Sequence, residues 1–144
     1  MTASCLPIAE RPETGSDQRK CVLVVEDDAT IRSTLAEALA EEGYRVLTAT
    51  NGLEGLQEVR TGAPDAVLLD LMMPVLDGWG FLAQCRREQL CADTPVLVMS
   101  AHLRLAEIAG ELKVRGCITK PFDLDVLLGA LERLVRLPGS GQVL

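Results

Sequence analysis

Asp70 closes the run Ala66 to Asp70 (AVLLD), four apolar residues that end on a carboxylate, and the loop LMMPVLDG follows. Open α/β sheets bind ligands in the crevice beyond the carboxyl ends of their strands, so a carboxylate there is placed for chemistry. Three other stretches end comparably. CVLVV runs into Glu26-Asp27-Asp28, PVLVMS ends on Ser100, and GCIT runs into Lys120-Pro121. Carboxylates, a hydroxyl and an ammonium are the groups that hold a metal ion and the outer oxygens of a phosphoryl group. Each alone has a plainer reading. Asp70 could cap its strand, and the acids at 26–28 could mark a helix N-terminus, where negative charge is favourable. Ser100 could bond to backbone, and Lys120 could be a solvated cation. What decides between these readings is whether the elements bring the residues together.

Cys21 to Val25 is too short for a helix and rich in β-branched residues, which reads as a strand buried on both faces. Ala29 to Glu42 carries Ile31, Leu35, Ala38 and Leu39 at helical spacing, and Gly43 is placed to end the helix. Arg45 to Ala49 is a second strand. Asn51 then caps a helix with Leu53, Leu56 and Val59 inward, ending near Gly62. Asp65 to Asp70 is the third strand. From Gly78 to about Glu88, Trp79, Phe81, Leu82 and Cys85 share one side of a helix. Pro95 to Ser100 is a fourth strand opening at its proline. A helix from about Leu103 to Leu112 is interrupted by Gly110. Gly116 to Thr119 is the fifth strand, and Asp123 caps a last helix with Val126, Leu127, Leu131, Leu134 and Val135 inward. Five strands alternating with five helices predict an α/β fold, a doubly wound five-stranded parallel sheet. The flavodoxin-like strand order 2-1-3-4-5 fits the length and opens its crevice between strands one and three.

The 144 residues and 48% hydrophobic content suit one domain, here 20–137, with polar tails at 1–19 and 138–144. A net charge of −7 disfavours nucleic acid as a ligand. The five cysteines show no C-x-x-C pair, so neither a disulfide framework nor a zinc site is expected, and a reducing cytoplasm fits. No apolar stretch is long enough to span a membrane.

In that topology Glu26, Asp27 and Asp70 meet at one crevice. Like charges a few ångströms apart raise one another's pKa unless a cation joins them. Two carboxylates, a carbonyl and water describe Mg²⁺ better than zinc, since the motif offers no Cys or His. Ser100 and Lys120 arrive at the same edge of the sheet. Four strand ends each carrying a suitable residue outweigh the plainer reading of each.

The set VVEDD, LLDLMMPVLDGWGFL, VMSA and TKPF resembles the signature of the response-regulator receiver domain of two-component signalling, over roughly Cys21 to Arg136. The resemblance implies that Asp70 is the phosphoryl acceptor, supplied by a sensor histidine kinase or a histidine phosphotransfer protein. It implies Asp27 as a direct Mg²⁺ ligand, Glu26 as a ligand through water, and Met72 as the backbone-carbonyl ligand. Ser100 matches the hydroxyl that turns toward the phosphate and Lys120 the ammonium that holds it. Pro121 matches a residue that follows a cis bond. The implied output is a changed surface for a downstream protein, on the fourth helix, fifth strand and last helix, with no nucleic acid and no membrane.

Two features depart from the family's pattern. Cys117 stands where an aromatic switch residue is usual, and Ser100 and Lys120 lie closer in sequence than is common, which predicts a trimmed fourth helix. Cys117 is therefore expected to fill a strand position and not to act as a rotating switch. His102, at a position where the family tunes phosphate lifetime, reads as exposed and inert. The short segment after the last helix leads to the expectation of a stand-alone module. Two alternatives remain open: a pseudo-receiver that is never phosphorylated, and an Asp-nucleophile phosphatase of the haloacid-dehalogenase type. The second would need an Asp where Met72 stands.

Overall fold

The structure, a computed structural model, describes residues 18–136. The tails expected at 1–19 and 138–144 lie outside the described residues, apart from positions 18 and 19. In chain order the elements are β1 (Cys21–Val25), α1 (Ala29–Glu41), β2 (Arg45–Ala49), α2 (Gly52–Gly62) and β3 (Ala66–Asp70). They continue with α3 (Gly78–Arg87), β4 (Val96–Ser100), α4 (Leu105–Leu112), β5 (Gly116–Thr119) and α5 (Leu124–Arg136). All strands pair in parallel in the order β2-β1-β3-β4-β5, the arrangement expected from the sequence.

The continuous apolar runs have a direct physical cause. Successive side chains of a strand point to opposite faces, so a strand covered on both sides must be apolar throughout. Every residue of β1, β3 and β4 is buried. Leu23, Val25, Val67, Leu69 and Val98 face one layer, which also contains Leu56 and Val59 of α2, Phe81, Leu82 and Cys85 of α3 and Leu105 of α4. The alternate residues Val22, Val24, Leu68, Leu97 and Met99 face the other layer, with Leu35 and Leu39 of α1 and Leu127 and Leu131 of α5. Fully burying a side chain of this kind contributes about 1.5–3 kcal/mol, so these two layers fix the sheet that carries the strand ends.

Two expected core positions are corrected. Leu53 is 55% exposed, because α2 turns Gly52 and Gly55 inward together with Leu56 and Val59. The inward face is set by close approach: a Cβ on Gly52 would lie 2.5 Å from the Leu76 carbonyl oxygen, and one on Gly55 would lie 3.0 Å from the Phe81 ring. Val126 is 58% exposed, since Leu127 and Leu131 centre the buried stripe of α5. Gly110 does not interrupt α4 either. The helix runs through it, since a glycine weakens a helix interior by about 1 kcal/mol without breaking it. At 8 residues α4 is the shortest of the five described helices, in keeping with the trimmed Ser100-to-Lys120 spacing.

Candidate functional site

The strand ends converge. In β3–β4 pairing Asp70 lies opposite Met99, and in β4–β5 pairing Ser100 lies opposite Thr119. The ladder continues past both strands, with the Lys120 N–H donating to the Ser100 carbonyl at 2.9 Å. Glu26 and Ser100 are buried and Asp70 is 3% exposed, whereas Asp27 is exposed. One carboxylate oxygen from each of Glu26, Asp27 and Asp70 lies within 4.8 Å of the others.

Lys120 joins two of these acids. Its Nζ is 2.8 Å from Glu26 Oε1 and 3.5 Å from Asp70 Oδ1. The peptide between Lys120 and Pro121 is cis. Glu26 Oε2 accepts from the Asp28 N–H at 3.1 Å, and Asp70 Oδ1 accepts from the Met72 N–H at 3.2 Å. Burial, and then the negative charge of Glu26, push the Asp70 carboxyl up to about 7, against the pull of Lys120 and the Met72 N–H. Burial would lower the Lys120 ammonium, but its hydrogen bond to Glu26 and the charge of Asp70 outweigh that and raise it.

The acids after β1 divide their work. Asp28 is the helix cap, its Oδ1 accepting from the Ile31 N–H at 2.9 Å. Glu26 and Asp27 are left on the crevice, and Arg32 fixes the bend between them by donating to the Glu26 carbonyl at 2.9 Å and the Asp27 carbonyl at 3.3 Å. On the far side, the loop after β3 returns tightly. The Gly78 N–H bonds to the Leu71 carbonyl at 2.9 Å, and a Cβ on Gly78 would lie 2.7 Å from Leu71 Cα and 2.8 Å from the Asp70 carbonyl oxygen. Asp77 starts α3 by accepting from the Gly80 N–H at 2.8 Å. Met72 is 62% exposed on this loop.

The donor set suits a hard divalent cation. Three carboxylates crowd together with one lysine for compensation, and oxygen is the only donor type in the cluster. Ser100 Oγ accepts from the His102 N–H at 3.1 Å, which closes a small turn after β4. His102 is exposed, and its Nδ1 accepts from the Arg104 N–H at 3.1 Å.

The family described as the response regulator receiver domain matches residues 22–132. The chain belongs to the response regulator receiver domain family. The response regulator MprA of Mycobacterium sp. (strain KMS) is 39% identical over 118 residues, 80% of this chain and 50% of MprA. The transcriptional regulatory protein TcrA of Mycobacterium tuberculosis (strain ATCC 25618 / H37Rv) is 40% identical over 117 residues, 80% of this chain and 46% of TcrA. The chain thus spans about half the length of the relatives it matches. The chemotaxis protein CheY4 of Vibrio cholerae has a similar structure, with TM-score 0.74 and 29% identity over 81% of this chain and 98% of CheY4. The non-phosphorylated HemR receiver domain of Leptospira biflexa gives TM-score 0.73 and 32% identity over 83% of this chain and 97% of that domain.

Receiver domains are phosphorylation switches of two-component signalling, phosphorylated by histidine kinases. They are signalling proteins, not classical enzymes, and they generally use Mg²⁺ at an acidic site. In this receiver domain the expected residues Glu26, Asp27, Asp70, Ser100 and Lys120 come to one end of the sheet, with Met72 on the adjoining loop. Cys117 is exposed on β5, which is an edge strand. Sequence reasoning missed Arg32 and Gly78. The glycine was visible as the end of the loop motif, but its contact with the Asp70 carbonyl needs the fold. Among the described residues, no helix is long and apolar enough to cross a membrane.

Proposed function

We propose that Asp70 accepts a phosphoryl group from a phosphohistidine of a sensor histidine kinase or a histidine phosphotransfer protein, in a Mg²⁺-dependent reaction. The observation that carries this reading is the buried Asp70 carboxylate, sharing Lys120 with Glu26 at 3.5 and 2.8 Å. An ionised carboxylate oxygen attacks phosphorus, the bond from phosphorus to the donor nitrogen breaks, and the electron pair leaves with the imidazole. Lys120 supplies a fixed positive charge to the incoming oxygens, where low local dielectric strengthens it.

Asp27, Asp70 and the Met72 carbonyl are assigned to hold Mg²⁺ directly, with Glu26 acting through water. Both Glu26 oxygens already accept hydrogen bonds, whereas Asp27 is exposed. Held by these residues, Mg²⁺ would neutralise carboxylate charge that otherwise repels phosphate. The acyl phosphate adds charge and three acceptor oxygens, for which Ser100 Oγ is the nearest hydroxyl on β4. Turning toward them releases its bond from the His102 N–H and moves the loop into α4. The altered surface of α4, β5 and α5 then binds a downstream protein. Cys117 is too small for its rotamer to bias that surface as an aromatic side chain does.

The test is incubation of the full chain with Mg²⁺ and a small acyl-phosphate donor, read by intact mass. One phosphoryl adduct is expected on the wild type and none on Asp70→Asn. An adduct that persists on Asp70→Asn refutes the assignment. No adduct on the folded wild type moves the reading to a phosphorylation-independent interaction module.

A further inference from the structure

At the opposite end of β4 a cavity of about 610 Å³ contains Cys85 and Cys91 and is bordered by Arg86, Lys113 and Arg115. Helix α3 ends in a turn that folds back on itself. Gln89 adopts φ 59°, its N–H donates to the Arg86 carbonyl at 3.1 Å, and the Leu90 N–H donates to the Cys85 carbonyl at 2.7 Å. These are the two bonds of a Schellman cap. They return the chain so that Cys91, the next residue, lines the same cavity as Cys85. Cys85 is 2% exposed, while Cys91 is partly exposed and packs on the same core layer. The nearness of Cys85, and then of Thr94, pulls the Cys91 thiol below its ordinary pKa, while the nearness of Cys91 together with burial pushes Cys85 up. Cys91 is the more exposed of the two, and Cys85 is buried in the layer it packs on.

We propose that Cys85 and Cys91 are a reversible redox pair, closed into an intrachain disulfide by hydrogen peroxide. The Cys91 thiolate attacks one peroxide oxygen, the O–O bond breaks, and hydroxide leaves and is protonated to water. Cys91 is oxidised to a sulfenic acid and peroxide is reduced. The Cys85 sulfur then attacks the Cys91 sulfur, the S–O bond breaks, and the hydroxyl departs as a second water with the Cys85 proton. Two thiols and one peroxide give one disulfide and two waters. Only five residues lie between the cysteines, so the cross-link constrains the unfolded chain little and stays open to reduction by thiols. Spacing alone did not flag the pair, because C-x₅-C is no recognised motif; the αL turn at Gln89 creates the contact.

The experiment treats the reduced full chain with hydrogen peroxide, blocks remaining thiols in denaturant, and maps the peptides. A Cys85–Cys91 linkage is expected, with the loss of two hydrogens and recovery on adding dithiothreitol. In Cys85→Ser, a sulfenic-acid trap should label Cys91 before the exposed Cys117. In Cys91→Ser, the buried Cys85 should remain unmodified. The wild-type map needs no variant and stands if either substitution disturbs folding. Oxidation of Cys117 while Cys85 and Cys91 stay alkylatable, or linkage as fast in the urea-unfolded chain as in the folded one, overturns the proposal.

Discussion

Asp70 is held at 3% exposure beside the buried Glu26, with Lys120 as the shared cation. Its carboxyl is raised to about 7, chiefly by burial and next by Glu26. The sign of the consequence follows from linkage. An acid whose folded pKa exceeds its unfolded value of about 3.9 contributes stability in its protonated form, and that contribution declines as pH rises from about 4 toward 7. Asn resembles the protonated acid in shape and carries no charge. In metal-free protein Asp70→Asn should therefore raise Tm at pH 8 and change it little at pH 4. A gain of about 1 kcal/mol corresponds to roughly 3–5 °C for a domain of this size. Thermal denaturation of both proteins in chelator at the two pH values checks this, and an equal difference at both would count against the charge argument. The same scale shows where sequence falls short. Glu26, Asp27 and Asp28 are three adjacent acids in the sequence, and only the bond from the Ile31 N–H to Asp28 separates the helix cap from the two site carboxylates.

The elements were legible wherever apolar period and chain breakers agreed. β1, β3 and β4 follow from their unbroken apolar runs, and Asn51 caps the helix that follows it, as its position predicts; the caps at Asp28 and Asp77 emerge only in the structure. The strand order followed from element count and chain length. What stayed hidden depends on backbone approach. The inward turn of Gly52 and Gly55 displaced Leu53, and Val75 adopts φ 71° in the loop after β3, a conformation that no pattern of hydrophobicity announces for a β-branched residue. Gly78 is the case with functional weight, because the atoms nearest its absent Cβ include the Asp70 carbonyl oxygen and Leu71 Cα, both backbone. Neither can rotate away as a side chain can. Gly78→Ala should destabilise the domain by about 1–3 kcal/mol, as overpacking does. It should also slow acyl-phosphate labelling of Asp70 in the fraction that remains folded. Denaturant unfolding and mass-detected labelling measure the two effects, and a variant unchanged in both would show that the loop yields without cost.

Across the whole molecule, the sheet places a crowded acidic cluster at one end of a chain whose net charge is already −7. Net charge of this sign raises local cation concentration without selecting a site, so selection falls to the cluster. A ligand that binds only the folded state adds stability by mass action, about 2.7 kcal/mol at a free concentration a hundred times its Kd. Mg²⁺ should accordingly raise the Tm of the wild type, and the dependence on each acid separates direct ligation from ligation through water. Asp27 is exposed and brings a carboxylate oxygen within 4.8 Å of those of Glu26 and Asp70, whereas Glu26 already accepts from Lys120 at 2.8 Å and from the Asp28 N–H at 3.1 Å. Asp27→Asn should abolish most of the Mg²⁺-induced shift. Glu26→Gln should lower the starting Tm, since it removes a buried partner of Lys120, yet keep more of the shift than Asp27→Asn does. Comparing each variant with and without Mg²⁺ removes the difference in starting stability. Trp79 lies in the first turn of α3, directly after the loop, and its fluorescence gives an independent titration. A wild-type Mg²⁺ response in Asp27→Asn, by both Tm and fluorescence, would move direct coordination away from Asp27 and leave Asp70 and Glu26 as the carboxylates that hold the ion.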